Sequence, residues 1–123
     1  MTNLTSVGVT SGVPTSGTGT VSTLDGALAY GQLTLVNQGG TITSGGTSQV
    51  AITSNAARKY LYVGNPSTEV ESLYVNFGAA ATAANSIELG PGGSLTMNSL
   101  GVSTQSLNLL AATTGHVFVV KEG

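Results

Sequence analysis

His116 is the only histidine in the sequence and Asp25 the only aspartate. A serine or threonine activated for nucleophilic attack needs an imidazole beside it and a carboxylate to orient that imidazole. Asp25 lies in a distant part of the chain, so His116 is expected at a rim or turn, where the final strand begins. A metal ion held by His116 would need two or three further ligands, and there is no second histidine and no cysteine. Glu69 and Glu71 flank Val70 in the segment after Pro66. Paired carboxylates serve calcium binding, acid–base catalysis and glycoside hydrolysis. Two acids so spaced in a loop, with no third nearby, are expected to share a solvated face instead. Gly90-Pro91-Gly92-Gly93 lacks the Lys-Ser/Thr and the helix of a phosphate loop, and reads as a turn. Arg58-Lys59 is the one basic pair, and it precedes a strand rather than forming a patch. Tyr60, Tyr62 and Tyr74 offer flat rings with polar edges, suited to a sugar or to a half-buried interface; the interface is the preferred reading. No catalytic, cofactor-binding or metal-binding residue is expected, and no enzyme.

Composition narrows the field further. Charged residues make up 7% of the 123 residues, against about 25% in an average soluble domain. Three basic side chains cannot neutralise the phosphates that nucleic-acid affinity requires, nor hold an anionic membrane surface. No stretch approaches the length of a membrane span, and Met1-Thr2-Asn3-Leu4 lacks the start of a signal peptide. Solubility falls to Thr, Ser, Asn, Gln and backbone. A nearly neutral surface provides little repulsion between copies, which suits an assembled protein.

The elements that must position these residues are short strands. Residues 1–24 are uncharged and rich in Thr, Ser, Gly and Val, with Pro14 among them, and read as an extended or flexible arm in which Val7, Val9 and Val13 are interface candidates. Residues 25–123 read as one β-domain. Strands are expected near Leu28–Val36, with Asp25 a possible cap for a short helix over Gly26–Tyr30, and at Thr41–Thr43, Gln49–Thr53, Lys59–Gly64, Ser72–Phe77, Ser86–Leu89, Ser94–Met97, Gln105–Leu110 and His116–Lys121. Asn37–Gly40 reads as a turn. Ser86–Leu89 and Ser94–Met97 read as a hairpin about a Pro-Gly turn. The last strand is apolar on both faces and therefore central. The fold class is all-β: an antiparallel β-sandwich or small jelly-roll-like barrel with an extended N-terminal arm.

The run Arg58-Lys59-Tyr60-Leu61-Tyr62-Val63-Gly64-Asn65-Pro66-Ser67, then Leu73–Ala83, then Ile87–Ser94, then Ala111–Gly123, resembles the small virion structural proteins of tailed bacteriophages that decorate or cement the capsid. The resemblance covers about residues 41–123. It implies a non-enzymatic β-fold, frequently a homotrimer seated between capsomers, with the major capsid protein as partner. The location it implies is the virion exterior, after synthesis in the host cytoplasm. Neither nucleic acid nor membrane is an expected partner. A phage tail or fibre component binding a host glycan is the alternative; a small hydrolase is a third and weaker reading.

Overall fold

The structure, a computed structural model, describes residues 33–98 and 100–123. The arm residues 1–24, with Val7, Val9 and Val13, and the helix cap at Asp25 lie outside the described residues. The compact unit is Thr34–Gly123. It contains β1 (Val36–Asn37), β2 (Gly40–Thr41), β3 (Gln49–Ile52), β4 (Leu61–Gly64), β5 (Leu73–Phe77), β6 (Ile87–Leu89), β7 (Ser94–Met97), β8 (Leu107–Leu110) and β9 (Val117–Glu122), and no helix among the described residues.

Two antiparallel sheets result. The first runs β1–β9–β4–β7, with β2 pairing farther along β9; the second runs β3–β8–β5–β6. Alternation decides which side chains enter the core. Leu61, Val63, Phe118 and Val120 face inward from the first sheet, while Ile52, Leu73, Val75, Leu89, Leu107 and Leu109 face them from the second. Each such side chain is worth about 1.5–3 kcal/mol when withdrawn from water. The molecule is a β-sandwich, and β9 is central in its sheet, paired on both edges, with Phe118, Val120 and Glu122 turned inward and Val117, Val119 and Lys121 on its outer face.

Taking β1 and β2 as one interrupted strand, the pairs nest: β1/β2 with β9, β3 with β8, β4 with β7, β5 with β6. This is one long antiparallel hairpin wrapped on itself, the jelly-roll winding. Its tip is the loop between β5 and β6. Apart from that tip and the short β1–β2 step, every connection passes from one sheet to the other.

Three expected features take a different form. Residues 33–35, within the strand expected over Leu28–Val36, lie outside any strand, and β1 begins only at Val36. Asn37–Gly40 is not a turn. Asn37 opposes Lys121 and Gly40 opposes Phe118, so the register is unbroken, and Gln38 N–H bonds the Val120 carbonyl at 2.8 Å. Gly39 permits this approach, since a Cβ there would lie 2.9 Å from the Phe118 carbonyl oxygen. Nor are β6 and β7 a hairpin. β6 pairs with β5 and β7 with β4, in different sheets. The local turn itself is as read: Gly93 N–H bonds Gly90 C=O at 2.8 Å, and Gly92 has φ of 82°. Proline before a glycine with positive φ makes a type II turn, used here to change sheets.

Gly92→Ala places a Cβ in left-handed backbone and should cost about 1–2 kcal/mol. Gly90→Ala, with open space around its Cβ and no positive φ, should be nearly neutral. Urea denaturation of the two variants checks the difference.

Candidate functional site

The chemistry-bearing residues gather at the two ends of β9. At its C-terminal end Glu122 points inward and meets Arg58, which is 3% exposed. Arg58 lies three residues before β4, and its Nε donates to Glu122 Oε2 at 2.7 Å. Its Nη1 donates to the carbonyls of Ser103 at 2.6 Å and Gln105 at 2.9 Å, and its Nη2 to that of Thr53 at 3.0 Å. Asn55 Nδ2 donates to Glu122 Oε2 at 3.1 Å, and Gln38 Nε2 to Oε1 at 3.4 Å. Burial pushes the Glu122 carboxyl up, but the bonds from Arg58, Asn55 and Gln38 outweigh it and hold the group below its ordinary value. A depressed carboxyl already saturated with donors is a poor general acid or base. An open cleft beside it is lined by Gln38, Ala51, Ile52, Thr53, Ser54, Asn55 and Glu122.

At the N-terminal end of β9 sits His116, 2% exposed. Its Nε2 lies 2.8 Å from Asn65 Oδ1, its Nδ1 3.1 Å from Glu71 Oε2 and 3.4 Å from Glu69 Oε1. Asn65, which follows β4, is the hub. Its amide nitrogen donates to the Glu71 and Leu89 carbonyls, and its backbone bonds Gly92 and Gly93 of the sheet-changing turn. Glu71 also accepts from the Thr113 hydroxyl and amide, and Glu69 from the Val117 amide. The Thr113 hydroxyl bond is the main cause of a lowered Glu71 carboxyl, which burial opposes and the Thr113 amide and His116 reinforce.

His116 and Glu71 form two members of a triad in reverse. Nε2, which would face a nucleophile, faces an amide oxygen instead, and the Thr113 hydroxyl addresses Glu71 rather than the imidazole. His116 is therefore buried, not on the rim, and Glu69 and Glu71 converge on it rather than sharing a solvated face. Arg58 likewise belongs to the interior. Asn65, Asn55 and Gln38 were not singled out by the sequence. Among the described residues, no group of three or more His, Cys, Asp or Glu is arranged to hold a metal.

The tyrosines do not form one face. Tyr62 alternates with core residues of β4 and points outward from the first sheet, its ring over Gly64, whose Cβ would lie 3.0 Å from it. Tyr74 alternates with Leu73 and Val75 and points outward from the second sheet. Tyr60 precedes β4, paired through its backbone with Gly123. All three are half-buried. No family model, no curated protein and no solved structure matches the chain.

Removing one partner of a buried pair strands the other charge, so Arg58→Ala should cost about 3–5 kcal/mol in chemical denaturation. Arg58→Lys should recover only part of this, because an ammonium cannot reach Glu122 and three carbonyls in one plane. Acid sensitivity follows from the carboxyls. Glu71 and Glu122 titrate lower in the folded chain than their ordinary value of 4.5. Their contribution is thus complete above that pH and is lost as pH falls through the depressed folded values. Stability measured against pH should drop less steeply on the acid side for Glu122→Gln, from a lower plateau.

Proposed function

We propose that this chain is a capsid decoration, or cement, protein of a tailed bacteriophage. It would bind the major capsid protein between capsomers on the virion exterior, as a homotrimer. The observation that supports this most is where the charge lies. Of the eight charged side chains, Arg58, Glu122, Glu69 and Glu71 are engaged in internal bonds, leaving Lys59, Lys121 and Glu88 in the described remainder. The outer surface is left to Thr, Ser, Asn, backbone, half-buried tyrosine and scattered apolar side chains such as Val50, Val70, Ile87 and Leu100. Such a surface has little charge to desolvate when it is covered by a neighbour, and interfaces are depleted of charge at their centres. The resemblance to phage virion proteins points the same way, and jelly rolls serve in viral capsids. They also serve as lectins, so the fold alone does not choose.

The mechanism is linkage. A protein that binds only the assembled shell stabilises it, by about 2.7 kcal/mol per site when the free protein is at a hundred times its Kd. Residues 1–24, with Val7, Val9 and Val13, would add strand-like contacts to a neighbour's sheet edge.

Cosedimentation with empty shells of the phage that encodes the chain is the test. The full chain should pellet saturably. Tyr62→Ala should weaken binding by about 1–2 kcal/mol with its melting temperature kept. Deletion of residues 2–24 should leave a folded body that no longer pellets. Failure of the full chain to bind shells, together with binding of the isolated protein to host glycans, overturns the proposal in favour of a tail or fibre component.

A further inference from the structure

The hydrogen bonds around His116 define more than a packed side chain. The Asn65 amide has one possible orientation. Its nitrogen donates to two carbonyls, Glu71 at 2.9 Å and Leu89 at 2.8 Å, so its oxygen faces His116 Nε2. That oxygen can only accept, and Nε2 must carry a proton. On the other side of the ring Nδ1 faces two carboxylates, Glu71 Oε2 and Glu69 Oε1. An ionised carboxylate also only accepts, so Nδ1 must carry a proton as well. The ring is satisfied on both sides only as the imidazolium. Either neutral tautomer sets a lone pair against an oxygen: Nδ1 against the carboxylates, or Nε2 against Asn65. Turning the Asn65 amide over does not relieve this, because its oxygen would then face the Glu71 and Leu89 carbonyls.

The partners of this ring come from each element packed around it. Glu69 and Glu71 belong to the loop joining β4 to β5, Asn65 to the end of β4, and Thr113 to the loop joining β8 to β9. Among the described residues neither carboxylate pairs with a lysine or arginine. In that form the ring is the single cation between two anions, with its side chain fully enclosed. The loop that it holds carries Val70, 91% exposed, at its tip between the two inward-turned acids.

We propose that His116 is a proton-operated latch, which fixes the 66–71 loop against the end of the sandwich when doubly protonated and releases it on losing one ring proton. The sign follows from linkage. The latched state holds one proton more than the released state, so latching is favoured at lower pH and disfavoured at higher pH. On the acid side the latch has a second limit, since protonation of Glu71 removes an acceptor. Release would let Glu69 and Glu71 turn to water, giving the protein a loop whose order follows pH.

The test is an NMR titration of the 15N-labelled full chain, reading the two His116 ring nitrogens and the exchange protection of the Thr113 and Val117 amides in one sample. Those amides donate to Glu71 and Glu69. Both ring nitrogens should show bound protons wherever the two amides are protected. Protection should fall by about ten- to a hundredfold, the worth of one charge-assisted hydrogen bond, as the ring loses a proton. The amides of Val63 and Leu109 in the sheets should keep theirs. In His116→Gln, which has no titrating ring, the alkaline fall should vanish. Protection that is unchanged while the wild-type ring titrates, or a ring carrying one proton while both amides are protected, overturns the latch. If His116→Gln fails to fold, the wild-type titration decides alone.

Discussion

Backbone leaving a ladder must still find hydrogen-bond partners, and in this sandwich almost every strand leaves its ladder to cross to the other sheet. The carbonyls of Thr53, Ser103 and Gln105 are stranded where β3 ends and where the chain approaches β8. Arg58 gathers all three. A planar guanidinium can serve several carbonyls and one carboxylate at once, and Glu122 beside it removes the cost of an unpaired buried charge. The closure of that end of the molecule rests on this pair. Elements of both sheets meet there: the end of β3, the approach to β4, the approach to β8 and the end of β9.

The opposite end solves the same problem with neutral and ionic groups together. Asn65 takes the carbonyls of Glu71 and Leu89 and orders the glycine turn, while His116 and the two glutamates bind the loops on either side. Both clusters hang from β9, whose first residue is bonded by Glu69 and whose last inward residue is Glu122. Four of the few charges in the chain are thereby placed inside or turned inward. This ties stability to function in the proposed reading. The groups that close the sandwich are the same groups that would otherwise charge its surface, and a neutral surface is what an assembly component covers most cheaply.

The strands were legible because apolar alternation is a local signal. Leu61/Val63, Leu73/Val75 and Val117–Val120 each announce their element, and β3 to β9 fall where expected, whereas β1 and β2 share only Val36 and Thr41 with the strands expected there. Pairing was less so. Gly90–Gly93 reads correctly as a type II turn, yet a turn does not say which sheet the next strand joins. Asn37–Gly40 has turn composition, but its glycine serves close approach to β9. The site was legible only in its components. Glu71 to His116 spans 45 residues and Arg58 to Glu122 spans 64, so spacing along the chain says nothing of either contact. Treating each charge as solvated by default missed both. The available signal was scarcity: in a chain with eight charged residues, a single arginine ahead of one strand and a glutamate ending another are candidates for each other.

The account depends most on Arg58 being sealed within the sandwich, and hydrogen exchange of its Nε–H reads this directly. A sealed guanidinium, bonded to Glu122 at 2.7 Å, should exchange that proton only when the whole domain opens, with the same denaturant dependence as the amides of Val63 and Leu109. Exchange of the Arg58 Nε–H at the rate of a free arginine, while those core amides stay protected, would contradict it. The pair would then be a surface contact, and the charge would lie outside after all.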